Sequence, residues 1–166
     1  MQQEDSMTRS TRYQGAIIRD HQILLLKQVE HATGRSYWQI PGGGIEPDET
    51  EEQCVQREML EETGLQVQVD SLLLDEPGAP GWIYQRWKTY RCSILAGEAR
   101  PGSEPEAVYA NAYSFTEVGW FDLRHPATWN EQLEAASYIS AWLQRIQAVL
   151  GYPVASGLQD SMEGLV

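Results

Sequence analysis

Residues 42–65, GGGIEPDETEEQCVQREMLEETGL, set eight carboxylates against one arginine and open on three consecutive glycines. A glycine triplet running into a charged helix fixes both a tight approach of backbone and the element that follows it. The helix start is legible. Thr50 caps it, and Gln53, three residues on, completes a capping box. Gly64 is the usual stop residue. At about 100° per residue, Glu62 falls about 40° to one side of Glu58 and Glu61 about 60° to the other, with Glu51 extending the stripe earlier in the helix. Like charges so placed repel, unless a cation sits among them. Carboxylates are hard oxygen donors of the kind that Mg²⁺ or Mn²⁺ accepts. A plain solvated acidic face is the alternative.

The flanking chain supplies strands. YQGAIIRDHQILLLKQ holds two apolar runs, Gly15–Ile18 and Ile23–Leu26, split by a turn-prone Arg-Asp-His, as in paired strands. WQI is a short strand and PGGG a tight loop, with Gly44 expected as a turn residue. After the helix, LQVQVDSLLL alternates as a strand does. DEPGAPG (75–81) reads as a proline-stiffened loop, WIYQRWKTYRCSIL (82–95) as a long aromatic strand, and AGEARPGSEPEA as an acidic loop. VYANAYSFTEVGWFDL gives one or two more strands. Trp129, Leu133, Ala136, Ile139, Leu143, Ile146 and Leu150 then step at helical spacing. Strands, helix, strands, helix describe an α/β chain, a sheet with helices on its faces.

At 166 residues one domain is expected: a polar arm over 1–10, the domain over 11–150 and a tail over 151–166. No apolar run reaches eighteen residues, so no membrane-spanning helix is expected. The polar N-terminus lacks a secretory apolar stretch, and Cys54 and Cys92 are expected as free thiols in a cytoplasmic protein. The net charge of −12 argues against nucleic acid as a partner. Residues 43–65 alone hold a net −7, eight acids against one arginine.

The segment resembles the signature of the Nudix hydrolases. Gly43 is followed by five residues, Glu49, seven residues, and then Arg57-Glu58-Met59-Leu60-Glu61-Glu62-Thr63-Gly64-Leu65, which fits every fixed position. The resemblance implies an αβα sandwich, a mixed β-sheet between helices. It implies hydrolysis, dependent on Mg²⁺ or Mn²⁺, of a nucleoside diphosphate linked to another group. Glu58, Glu61 and Glu62 would be the metal-binding carboxylates, joined by the carbonyl of Gly42. Arg57 would hold a glutamate in place with Glu49 as partner, and Gly43 and Gly64 would be structural. Family members take their general base from the helix or from a later loop. Here the choices are a helix glutamate such as Glu58, or Glu104 or Glu106 in the acidic loop, with Glu117 an outsider.

For a small nucleotide-type substrate, Trp82, Tyr84, Trp87, Tyr37 and Trp38 are candidates to stack on a base. Arg86 and Lys88, on one strand face, are candidates for phosphate, with Arg91 on the other face. Pro80, fifteen residues after Leu65, resembles a proline of ADP-ribose-type members. That leans the reading to ADP-ribose or a nucleotide sugar. The alternatives are a nucleoside triphosphate pyrophosphohydrolase and a non-catalytic nucleotide-binding module. Homodimers are common among similar proteins, and the aromatic strand and the final helix each offer an interface.

Overall fold

The structure, a computed structural model, describes residues 11–81, 83–103, 110–129, 133 and 138–153. Strands β1 (Thr11–Arg19), β2 (Gln22–Glu30), β3 (Ser36–Gln39) and β4 (Gly42–Gly43) lead into helix α1 (Glu51–Thr63). Strands β5 (Leu65–Pro77), β6 (Arg86–Gly97) and β7 (Tyr113–Asp122) follow, then a 3-10 turn (Pro126–Thr128) and helix α2 (Tyr138–Leu150). The sheet order is β3-β2-β1-β6-β5, with β4 added to β1 and β7 to β2. β1 and β6 run parallel, Thr11–Ile17 beside Arg86–Cys92, so the sheet is mixed.

Alternation along the strands builds two cores. Ala16, Ile23 and Leu25 face α2, where Ile139, Leu143 and Ile146 pack. Ile17 and Leu24 face α1, against Cys54, Val55 and Met59. A strand covered on both faces has no polar side to show, which explains the unbroken apolar runs. Asp20 and His21 take φ of 49° and 66° between β1 and β2, the left-handed pair that suits a two-residue hairpin. Both cysteines are free and buried, and burial pushes the Cys92 thiol up to about 12.

Two boundaries differ from those expected of the sequence. β5 continues through Asp75, Glu76 and Pro77, which pair with Lys88, Trp87 and Arg86, so the proline loop starts three residues later. Pro77 sits at the end of an edge strand, where its missing N–H costs no ladder bond. β6 accordingly begins at Arg86, not at 82. The apolar stripe from Trp129 does enter one core, Trp129 and Leu133 included. Its described helical part is Tyr138–Leu150, and Trp129 follows a 3-10 turn, its N–H donating to the Pro126 carbonyl at 3.3 Å. Ala136, the 1–10 arm and residues 154–166 lie outside the described residues. No described helix is long and apolar enough to cross a membrane.

The capping box is present in both halves. The Gln53 N–H donates to Thr50 Oγ1 at 3.1 Å, and the Thr50 N–H to Gln53 Oε1 at 2.9 Å. Thr50→Ala is expected to cost about 0.5–2 kcal/mol, with Thr50→Ser close to wild type. Urea midpoints at constant slope check it. Equal midpoints for all three would show that the cap contributes nothing to the fold.

Candidate active site

The glycine loop and α1 are pressed together. A Cβ on Gly42 would run into the Tyr13 carbonyl and Gln14, and one on Gly43 would fall on the Glu58 carboxylate. Glycine is required at both positions by close approach. Gly44 differs from the expected turn requirement. Its φ is not positive, and an added Cβ would meet only the Tyr84 hydroxyl at 3.9 Å. Gly64 does adopt the left-handed conformation, φ 74°, and its N–H returns to the Leu60 carbonyl.

Glu58 and Glu62, one helical turn apart, point at this loop and are 8% and 3% exposed. Carboxylates so buried need partners. The Gly42 N–H donates to Glu62 Oε2 at 2.9 Å. Arg57 serves the others. Its Nε and Nη2 grip both oxygens of Glu49 at 2.7 and 3.1 Å. Its Nη1 reaches Glu58 Oε1 at 3.0 Å and Glu61 Oε2 at 3.2 Å. Nη2 also donates to the Gly44 carbonyl at 3.0 Å. One guanidinium thus ties the loop, Glu49 and two helix glutamates together.

The titration behaviour follows. Burial pushes Glu58 up to about 7 against the opposing charges of Arg57 and Arg12. Burial is the largest influence on Glu49 as well, but the Arg57 hydrogen bond, the Glu46 N–H and the Arg57 charge together outweigh it and hold Glu49 below the usual carboxylate range. Glu49 in turn holds Arg57 protonated.

Among the described residues no three acidic, histidine or cysteine side chains stand grouped closely enough to hold a metal ion. Arg57 takes one oxygen from Glu58 and one from Glu61. The donor set nonetheless fits a hard divalent ion. It is all oxygen, and Glu58 is buried against a loop kept free of side chains by Gly43.

A cleft opens over this cluster. Glu58, Glu62 and the glycine loop form one end, Tyr84, Tyr113 and Phe115 give it aromatic walls, and Arg12, Gln28 and Gln39 add polar groups. The two glutamine amides are bonded to each other, and Gln28 donates to the Tyr37 hydroxyl. Of the candidate stacking residues, Tyr84 lines the cleft. Trp38 is buried against Phe121 and Trp87 packs on Trp142. Trp82 lies outside the described residues.

The phosphate candidates are placed elsewhere. Arg86 grips Asp75 through two bonds of 2.6 and 2.8 Å, and Lys88 is bonded to Glu51 at 2.7 Å. Tyr90 also donates to Glu51, so Glu51 is turned onto β6 and does not extend the acidic stripe toward the loop. Glu117 pairs with Lys27 at 3.7 Å. Glu104 and Glu106 lie outside the described residues. The chain leading to them is tied to the end of α1, with the Arg100 N–H on the Thr63 carbonyl at 2.9 Å and the Gly102 N–H on the Glu62 carbonyl at 2.7 Å. Arg12, Gln28, Gln39, Tyr113 and Phe115 are not singled out by the sequence. Only their convergence across four strands makes them notable, and no local spacing signals it.

The family model described as NUDIX domain matches residues 10–141. A MutT-like protein of Streptomyces ambofaciens is 36% identical over 95 residues, 57% of this chain and 58% of that protein. An ADP-ribose pyrophosphatase of Mycobacterium tuberculosis is 30% identical over 106 residues, 63% of this chain and 48% of that one. The chain therefore spans about half the length of these curated relatives. A crystal structure of an ADP-ribose pyrophosphatase from Streptococcus suis superposes with a TM-score of 0.60 at 20% identity, covering 86% of this chain and 92% of that one.

Proposed function

The chain belongs to the Nudix family of hydrolases, and from that premise we propose that it cleaves the pyrophosphate bond of a nucleoside diphosphate linked to a second group, ADP-ribose or a nucleotide sugar. The observation that carries the reading is the Arg57-centred carboxylate cluster facing the glycine loop at one end of the cleft. Members of the family generally use divalent ions. Here Glu58, Glu61 and Glu62, joined by the Gly42 carbonyl, would hold Mg²⁺ or Mn²⁺. Such an ion, when bound, offsets charge on phosphate oxygens and acidifies water. Arg57 keeps the ligands oriented through its grip on Glu49, the role that outer partners play around metal ligands. Tyr84, Tyr113 and Phe115 supply ring faces for the base.

The name of the ADP-ribose pyrophosphatase relative favours the linked diphosphate, as does the scarcity of unpaired cations among the described residues at the cleft. A nucleoside triphosphate is the second reading. The complete glutamate set counts against a module that binds without turnover. The test is a panel of ADP-ribose, nucleotide sugars, nucleoside triphosphates and dinucleoside polyphosphates with Mg²⁺ or Mn²⁺, scored by released products. ADP-ribose or a nucleotide sugar is expected to give the highest kcat/KM, with activity lost in excess chelator and restored by Mg²⁺. Full activity after verified metal removal would sink the mechanism.

The base that takes the proton from the attacking water is Glu58 or a glutamate of the 98–106 loop, Glu104 or Glu106. A pH–rate profile at saturating metal separates them. If the loop supplies it, Glu104→Gln or Glu106→Gln loses about 10²–10⁴-fold in kcat with metal affinity unchanged. Unaltered rates in both assign the proton to the helix.

A further inference from the structure

The charge balance of the cleft depends on one side chain. Of the described residues lining it, Arg12 is the one cation, set against Glu58 and Glu62. The cations expected to meet phosphate, and the arginine of α1, are already matched. Arg57 is paired to Glu49, Glu58 and Glu61, Arg86 to Asp75, and Lys88 to Glu51. Arg12 has no carboxylate within ion-pair distance among the described residues.

Its head group is nonetheless held in place. Nη2 donates to the Ile40 carbonyl at 3.1 Å. The guanidinium carbon lies 5.4 Å from the Trp87 ring centroid and 5.9 Å from that of Tyr84. Those rings meet edge to face at 5.8 Å, so they form a corner that restricts the side chain. Nε is buried and has no acceptor among the described residues. Native structures rarely leave such a donor unsatisfied. A guanidinium that is charged, oriented, short of an acceptor and set at a cleft wall is built to receive an anion.

We infer that Arg12 is the anion anchor of the cleft, binding the pyrophosphate of the substrate and setting its position relative to the carboxylates of α1. The inference rests on the reading of this cleft as the pyrophosphate site. It also bears on substrate class. A pyrophosphate bridging two groups carries less charge than a terminal triphosphate, and one guanidinium balances the bridged form better. Lysine is a poor replacement, because an ammonium does not offer a planar pair of donors.

The test compares wild type with Arg12→Lys and Arg12→Gln. KM and kcat are measured on the best substrate of the panel, ADP binding is measured by calorimetry in Mg²⁺, and melting temperature is measured for each protein. The expected result is a KM raised about 10–100-fold, the scale of a charge-assisted hydrogen bond. ADP binding weakens in parallel, kcat changes far less, and Arg12→Lys melts as wild type does. Unchanged KM and ADP affinity would overturn the anchor while leaving hydrolysis standing. A lower melting temperature with kcat lost and KM unchanged would also overturn it, since that is a packing role. No ADP binding by wild type overturns it too. If wild type binds ADP through Arg12 but turns over nothing in the panel, the anchor stands and the hydrolase reading fails.

Discussion

Glu62→Gln is expected to lower kcat/KM by more than about 100-fold, beyond the 10–100-fold that loss of an outer partner costs a metal site, with the fold intact. Glu62 is 3% exposed and its Oε2 accepts the Gly42 N–H. Glutamine keeps the shape and keeps an oxygen for that bond, so the glycine loop stays where it is. What disappears is a negative charge that only a cation can use. Removing an ionised group from a buried position also relieves desolvation, so the metal-free melting temperature is expected to hold or rise. Glu61→Gln should behave alike in turnover, although it weakens one of the bonds made by Arg57. Steady-state kinetics across Mg²⁺ concentration, with melts in chelator, check both. Near wild-type rates for both variants at limiting Mg²⁺ would mean that the ion binds elsewhere.

The second large effect is structural. Gly102→Ala would place its Cβ on the Glu61 main-chain carbonyl, with the Glu62 backbone also in the way. A flexible side chain can step aside from a new methyl group, but the last turn of a helix cannot. Overpacking of this kind costs about 1–3 kcal/mol and sometimes more, and here it also opposes the Gly102 N–H to Glu62 carbonyl bond. The variant is expected to be destabilised by at least that range and to lose activity at temperatures where it remains folded, because Glu61 and Glu62 ride on the displaced turn. Gly44→Ala is the control, since it meets only the Tyr84 hydroxyl at 3.9 Å and should leave the unfolding free energy within about 0.5 kcal/mol of wild type. If Gly102→Ala unfolds at the wild-type midpoint, the 98–103 segment is not packed on α1 as described.

Features set by neighbours along the chain are legible in the sequence itself. Thr50 and Gln53 are three residues apart and need only each other, and Gly64 needs only its own φ. The two buried strands announce themselves because both faces are covered. Legibility ends where a residue's role depends on a distant partner. Lys88 reads as free for phosphate in sequence, yet Glu51 holds it, and Asp75 holds Arg86 in the same way. Pro77 reads as part of a loop because a single residue does not reveal that Arg86 pairs with it. Arg12 carries no signal at all. It lies at the beginning of a strand, next to a polar segment, and its meaning comes from Trp87 and Tyr84.

The parallel pairing of β1 with β6 sets the order of assembly. Partners such as Gln14 and Thr89 are 75 residues apart, so a long loop must close before the pairing returns any free energy, and such non-local contacts slow folding. On a ribosome, the whole span from the glycines through the capped helix emerges before β6 exists. At that stage Glu51 has no Lys88 to hold it and Arg12 has no Trp87 to lie against. The nascent chain can therefore display every residue of the signature and still be inert, because β6 and then β7, which brings Tyr113 and Phe115, are what turn a motif into a cleft.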